Sequence, residues 1–563
     1  MYFESIGTSL PSTACSDPTI LQRETCLLES RNKCYRARPP KALERLQKSH
    51  KLTVPERLEA ILDPGTPSFD LGMYIGDDAT PQAGVYCLAG MVSGLNVIVI
   101  ANDNTLHAGA WVAEAPEKIQ RAQETARRLR LPIIWLIECP GLDLMTQEKN
   151  YGGSHGAGAI FEHQIRHAQA GLVQIAAVFG DCIAGGGYLP IFCDRVIMTE
   201  QATLCIGGTA LNRFSKAGSG KLGGPDTHVH ETGCADERVL DDYAACLRIR
   251  HWIGRLPTSA VPFYRVSEPI APRFDIDDLY AILPSDPQKS FDIRELVARL
   301  ADASLVSEID ADSTPTIFAC HALMDGLPVI FIANQPLHFG SVLSKDSILK
   351  MTRIVQTAHV TGTPVIWLQD VSGFDIGETA ERDGLLRHGA ALLHAITRQD
   401  TDAPHLTICL RKAAGAGYYA MKGRPFAPAL IAGTVLTRLE VMDPTILAQT
   451  LFDAKIHRSQ AHIESLTAKQ PLPAQNADAL QTTSSASEAP STVENDLRLE
   501  RAHLQALQAQ KAALIEYQTQ ASDALSAARR GDIDTVLALH ELRQFILFFV
   551  YSAWQSLRPR QPR

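Results

Sequence analysis

The sequence predicts an α/β protein built from two homologous halves, and three observations carry that reading. VIVIANDNTLHAG (97–109) returns as VIFIANQPLHFG (329–340), LRLPIIWLIECPGLD (129–143) as TGTPVIWLQDVSGFD (361–375), and VFGDCIAGGGY (178–188) as ICLRKAAGAGY (408–418). The matches Asn102/Asn334, Pro132/Pro364, Trp135/Trp367 and Gly141/Gly373 all lie 232 residues apart, and Ala184–Tyr188 matches Ala414–Tyr418 at 230. Three separate blocks holding nearly one register indicate duplication of a whole unit.

The elements follow in the same order in each half. Short apolar, β-branched runs at 96–100, 133–137 and 173–179, and again at 328–333, 365–369 and 406–410, read as buried strands. Between them lie helical patterns, PEKIQRAQETARRLR (116–130) and LLRHGAALLHAI (385–396). Strands alternating with helices predict a mainly parallel sheet, whose ligands sit beyond the strand C-terminal ends, where both glycine knots fall. Residues 1–45 read as a tail or helical arm. The two repeat domains are placed at 46–265 and 285–550, the second interrupted by a Pro/Ser/Thr/Ala-rich flexible linker (469–495) and a helical stretch (497–528). The apolar run FILFFVYSAW (545–554) is too short to span a bilayer and is expected as a core helix.

Composition narrows the function. The 563 residues are 45% hydrophobic and 20% charged with a net charge of −9, and no basic tract or basic-aromatic stripe points to nucleic acid. The N-terminus MYFESIGTSLPS lacks the basic and apolar regions of a secretory leader, and the twelve cysteines form no C-x-x-C pair, so a reducing cytoplasm is expected.

The knots Gly185-Gly186-Gly187 and Gly415-Ala416-Gly417 pose the functional question. A tight turn is the plain answer. A phosphate loop is not supported, because KAGSGKLGG (216–224) lacks the first glycine and the hydroxyl after Lys221, and no G-x-G-x-x-G opens a helix. An oxyanion hole asks only for two backbone N–H groups with no Cβ in the way, which the knots supply. Two knots imply two oxygens to stabilise. Glu138, Asp143, Glu148, Asp370 and Asp375 read as substrate contacts or solvated loop charges, and Arg127, Arg128 and Arg130 as a solvated helix face. His228 and His230 lack a third metal ligand, and no metal is expected. Ala420-Met421-Lys422 imitates a biotinylated carrier but reads as a loop lysine.

At this point the residues resemble a family, the carboxyltransferase subunits of biotin-dependent acyl-CoA carboxylases and decarboxylases, including propionyl- and methylcrotonyl-CoA carboxylase β and glutaconyl-CoA decarboxylase α. The carrying motifs are AGGGY (184–188), LGGPDTHVHETGCAD (222–236), DDLYAILPSDPQKSFDIRELVARLAD (277–302), VIFIANQP (329–336), DGLLRHGAALLHA (383–395) and LRKAAGAGYYAM (410–421). NDNTLHAGAW (102–111) and QEKNY (147–151) are closest to the decarboxylase.

The resemblance implies a duplicated crotonase-like ββα spiral, with acyl-CoA bound by the first half and biotin, carried on a separate protein, by the second. It implies an active site shared between the first half of one subunit and the second half of its partner. A homo-oligomer is therefore expected, together with a biotin carboxyl carrier protein and a biotin carboxylase subunit as partners. The oxyanion amides map onto Gly185 and Gly186, and onto Ala416 and Gly417. Gly187 and Gly415 complete the knots, loops at Gly141-Leu142 and Gly373-Phe374 supply companion N–H groups, and Gly207 and Gly208 flank the substrate. Two rivals stand beside this reading, a biotin-independent acyl-CoA decarboxylase and a non-catalytic scaffold subunit. The second knot supports the first rival, because it reads AAGAGY where the carboxylases carry Tyr-Gly-Gly-Ala-Tyr.

Overall fold

The computed structural model describes residues 3–11, 13–36, 38–207, 223–256, 258–259, 265–397, 403–469 and 492–557. Gly208 and most of the 469–495 linker lie outside these. The chain forms two compact units, Met1–Leu439 with Ala524–Arg563, and Glu440–Asp523.

The first 45 residues are not a free tail. Helix α1 (Pro18–Arg36) buries Ile20 and Leu27, and its Arg31 makes a two-pronged ion pair with Glu541 at 2.7 Å. Helix α2 (Pro40–Lys48) follows, starting on Pro40, whose fixed φ suits a first helical turn.

In the first half, β1 (Val85–Val92) and β2 (Leu95–Asn102) form an antiparallel hairpin. Helix α3 (Ala115–Leu129), strand β3 (Ile133–Ile137), helix α4 (Ala157–Gln169), strand β4 (Gln174–Val178), helix α5 (Gly185–Ile191) and strand β5 (Arg195–Thr199) follow. The sheet order is 237–239, β5, β4, β3, β2, β1, 69–70, parallel from the first of these to β2. Every residue of β3 is buried, as expected for a continuous Ile/Trp/Leu run inside a parallel sheet covered on both faces.

The second half repeats the plan. Strands β6 (Ile317–Met324) and β7 (Leu327–Asn334) pair as a hairpin, followed by α6 (Lys345–Thr361), β8 (Val365–Val371), α7 (Leu385–Thr397), β9 (His405–Ala414), α8 (Gly415–Ala420) and β10 (Leu430–Thr434). Along its sheet, eight strands run in the order 4–5, 305–308, β6, β7, β8, β9, β10, β11 (Thr535–Leu537).

The duplication is visible in the register itself. Ile98 pairs with Ile133 as Ile330 pairs with Val365, and Ile133 pairs with Gln174 as Val365 pairs with His405. The offset is 232 at the first two positions and 231 at the third. Each half also buries a tryptophan whose indole N–H is donated to that last residue, Trp135 to Gln174 Oε1 at 3.2 Å and Trp367 to His405 Nδ1 at 2.8 Å.

The two halves share a core within their unit. Phe69 of the first packs edge-on to Phe545 of α11 (Leu542–Trp554) with ring centroids 4.9 Å apart. Arg121 on α3 donates twice to Asp534, at 2.7 Å each, while Asp534 also accepts from Ile431 N. The expected core helix at 545–554 is thus α11, extended by one turn. In the other unit, α9 (Pro444–Ala468), N-capped by Asp443, pairs with α10 (Thr492–Ala521) through Lys511–Asp453 and Ser459–Glu500.

Candidate active site

Both knots lie beyond the C-terminal ends of parallel strands, and local backbone chemistry explains their shape. In the first, the short strand 181–183 pairs with 203–205, and Ala184 N donates to Cys205 O at 3.1 Å. Ala184 then takes φ 51° and ψ −121°, a conformation that favours glycine and costs an alanine on the order of 1–3 kcal/mol. The chain turns so sharply that Gly187 N donates back to Ala184 O at 3.0 Å. Between them, the N–H groups of Gly185 and Gly186 meet no acceptor among the described residues. A Cβ on Gly186 would stand 2.1 Å from Cys139 O, so this position admits glycine alone.

The Gly141-Leu142 loop closes the site. Gly141 sits at φ 101°, and its Cβ position is 3.7 Å from Gly185 N. Trp111 N donates to Gly141 O and Asp143 N to Trp111 O, each at 2.9 Å, which leaves the Leu142 N–H between them without an acceptor among the described residues. Gly207 follows two residues after strand 203–205, which backs the knot.

The second knot repeats this with one change of register. Gly415, at φ 53°, takes the left-handed place of Ala184, so Ala416 and Gly417 stand where Gly185 and Gly186 do. The residue match from sequence, Ala184–Tyr188 with Ala414–Tyr418, therefore slips by one, because β9 runs unbroken into its knot. A Cβ on Gly417 would lie 2.6 Å from Val371 Cγ2 and 3.1 Å from Gly373 Cα. Ser372 N donates to Ser341 O and Asp375 N to Leu343 O, flanking Phe374 as the earlier pair flanks Leu142.

Other candidates resolve differently. Glu138 and Asp370, at equivalent strand ends, are buried rather than solvated. Glu138 pairs with Lys51 at 2.7 Å and Arg57 at 3.1 Å, and Asp370 with Arg411 at 2.6 Å. Asp143 folds onto its own turn, accepting from Met145 N, while Glu148 and Asp375 are exposed. Arg127, Arg128 and Arg130 gather with Arg166 around a cavity of about 570 Å³ at the C-terminal ends of α3 and α4, the end of the parallel strands away from the knots. Both ring nitrogens of His228 are engaged, with Leu204 O at 2.7 Å and Thr232 Oγ1 at 2.9 Å. Among the described residues no three His, Cys, Asp or Glu side chains group as a metal site. Lys422 is buried with Nζ donating to Ile396 O, so Ala420-Met421-Lys422 offers no exposed lysine.

Sequence reasoning missed Lys412. Its Nζ donates to Ser372 Oγ at 2.8 Å and Gly340 O at 3.2 Å, strapping the second loop, and burial holds its pKa below the usual lysine range. The signal was its place three residues before a knot.

Three thiols crowd the first knot. The Cys182 thiol donates to Gly186 O at 2.8 Å, and burial pushes Cys139 up to about 12 and Cys182 well above its ordinary value, while Cys205 is raised too. All three stay protonated at neutral pH, which excludes a thiolate nucleophile. Iodoacetamide at pH 7.5 is expected to label exposed Cys15 and Cys26 and leave Cys139 and Cys182 intact by peptide mass spectrometry. Labelling of Cys139 or Cys182 that tracks loss of activity would refute this.

Among the described residues the first knot thus offers backbone donors beside three protonated thiols. The chain is 33% identical over 416 residues to the biotin-dependent 3-methylcrotonyl-coenzyme A carboxylase beta1 subunit of Mycobacterium tuberculosis, covering 71% of this chain and 76% of that one. It is 28% identical over 453 residues to the glutaconyl-CoA decarboxylase subunit alpha of Acidaminococcus fermentans, covering 74% and 77%. The fold is that of the P. aeruginosa geranyl-CoA carboxylase beta subunit, with a TM-score of 0.79 at 22% identity over 99% of both chains. Residues 46–563 match the carboxyl transferase domain, and the chain belongs to that family of transferases.

Proposed function

We propose that the protein moves CO2 between biotin on a separate carrier protein and the α- or vinylogous γ-carbon of an acyl-CoA. One observation carries this: two knots, each turning at a positive-φ residue and each presenting two N–H groups that meet no acceptor among the described residues, beside a glycine loop. A chain that needed a single oxyanion hole would have no use for the second.

When bound, biotin supplies the CO2 carrier and the nitrogen that takes the substrate proton. The chain's own residues supply donors. The amides of Gly185 and Gly186, with Leu142, hold the thioester oxygen as it gains charge, while Ala416 and Gly417, with Phe374, hold the ureido oxygen. Each donor pair contributes on the order of 3 kcal/mol to the transition state. No side-chain base is required, in keeping with the protonated thiols and the ion-paired Glu138 and Asp370.

An oligomeric site is part of the proposal. Leu144 and Ile376, 232 residues apart beside the two loops, are 73% and 90% exposed. Large apolar side chains left bare at matching positions suit a partner subunit placing its second half against this first half. Among the described residues no helix is long and apolar enough to cross a membrane.

Malonyl-, methylmalonyl-, glutaconyl- and methylglutaconyl-CoA incubated with the protein, with and without free biotin, test the reading by mass spectrometry. Loss of CO2 from one of them only when biotin is present is the expected result. Loss without biotin overturns it in favour of a biotin-independent decarboxylase, and acyl-CoA binding without turnover in any mixture favours a scaffold.

A further inference from the structure

Beside the first knot stands a wall of rings. The Cβ position of Gly185 is 3.7 Å from Trp111 Cζ3 and 3.9 Å from Phe161 Cζ, and apart from its chain neighbours no other described residue comes within 4 Å. Phe161 extends the wall, with ring centroids 6.2 Å from Trp111, 6.0 Å from Tyr188 and 5.9 Å from Phe192, and the last two rings stack. The row runs from buried Trp111 through half-buried Phe161 and Phe192 to exposed Tyr188, so one end opens to solvent.

Aromatic rows often serve only to fill a core, and the duplication supplies an internal control. The second half builds the same helices, loop and knot and keeps one of the four rings, Tyr419 at the Tyr188 position counted from the knots, but not the other three. Leu343 bridges the second loop as Trp111 bridges the first, and Gly389 stands at the Phe161 position of α7 counted from the helix start. Counted from the knots, Gly423 stands where Phe192 does. The space is differently filled there, because the Cβ position of Gly389 is 3.5 Å from Phe374 Cζ. The fold does not demand Trp111, Phe161 or Phe192, which leaves these rings free to serve what the first knot binds.

Resting on the carboxyltransferase reading of that knot, we infer that Trp111, Phe161, Tyr188 and Phe192 form the acyl-tail slot and select an uncharged hydrocarbon acyl group over one ending in a second carboxylate. A thioester oxygen held by Gly185 and Gly186 places the acyl carbons against the rings beside Gly185. Apolar contact there strengthens with each methylene buried, whereas a carboxylate set against ring faces loses water and gains no cation.

Isothermal titration of the full-length protein with CoA, acetyl-CoA, valeryl-CoA and glutaryl-CoA tests this, since the last two share a chain length and differ in a terminal methyl or carboxylate. Kd is expected to fall by about four-fold for each methylene that enters the slot, and valeryl-CoA to bind at least about ten-fold more tightly than glutaryl-CoA. Phe161→Ala should reduce the valeryl-to-acetyl ratio while leaving acetyl-CoA affinity within about two-fold, and Phe161→Leu, a gentler change of volume, should give an intermediate ratio. Glutaryl-CoA binding as well as valeryl-CoA, or a ratio untouched by both substitutions, overturns the slot. If no acyl-CoA binds more tightly than CoA itself, the thioester reading of the first knot falls with it.

Discussion

Gly186→Ala lowers the rate of carboxyl transfer by about 10²–10³-fold, the loss expected when one preorganised donor leaves its place, while Gly185→Ala keeps a substantial rate. The contrast comes from what each new methyl meets. At Gly186 the Cβ would stand 2.1 Å from the carbonyl oxygen of Cys139, a backbone atom at the end of β3 that cannot swing away. The knot must move, and with it the amide that faces the thioester oxygen. At Gly185 the nearest atoms, on Trp111 and Phe161, are at ordinary contact distance of 3.7 and 3.9 Å, so the backbone can stay. Ala416 already shows that the equivalent place in the second knot carries a methyl group. Gly417→Ala meets Val371 Cγ2 at 2.6 Å, a side-chain atom, and Gly373 Cα at 3.1 Å, so its loss should be smaller and fall on the biotin side. Steady-state kinetics with each substrate varied separates these, together with circular dichroism to show that the fold persists. An unchanged kcat in Gly186→Ala would remove the first knot from the mechanism.

Much of this was legible in the sequence because the buried strands are uninterrupted apolar runs. The run 133–137 is β3 to the residue, and 96–100 falls inside β2. Reading failed where polarity is satisfied at long range. The strand expected at 406–410 continues to Ala414, since Arg411, polar in sequence, is buried against Asp370, 41 residues away. Glu138 and Asp370 read equally as substrate contacts or solvated loop charges for the same reason, as their cations come from distant segments. The knot register slipped by one because glycine and alanine strings align equally well at either offset, and only backbone conformation at Ala184 and Gly415 separates them. The Trp111–Phe161 row escaped notice because its members lie 50 residues apart on elements that meet only in the fold.

The largest stability change is expected from Glu138→Gln. Glu138 is 6% exposed and follows β3 directly, just before the Cys139-Pro140-Gly141 turn. One carboxylate oxygen accepts from Lys51 and the other from Arg57, whose Nε also donates to Asp242 at 2.9 Å. Arg57 in turn stacks 4.0 Å from the Phe179 ring centre, locked in place. Neutralising Glu138 takes the carboxylate from Lys51 and leaves buried Arg57 with Asp242 alone, and breaking a buried pair in this way costs about 3–5 kcal/mol. The pH dependence has a definite sign. Burial pushes the Glu138 carboxyl up, but Arg57 and then Lys51 outweigh it and hold it below the ordinary 4.5. A carboxylate with a depressed folded pKa stabilises fully above its unfolded value and loses that contribution as pH falls through the folded one. Urea unfolding of wild type and Glu138→Gln should therefore differ most from about pH 6 to 8 and converge as pH falls below 4.5 through the depressed folded value. A gap that stays constant from pH 7 to 3 would mean that the side chain acts by packing rather than by charge. Because Gly180 leaves room for this carboxylate, with its Cβ position 2.2 Å from Glu138 Oε1, the ion network and the loop that faces Gly185 are built as one piece. Glu138→Gln should accordingly lower kcat as well as stability, by loosening Gly141 and Leu142 where they complete the first oxyanion site.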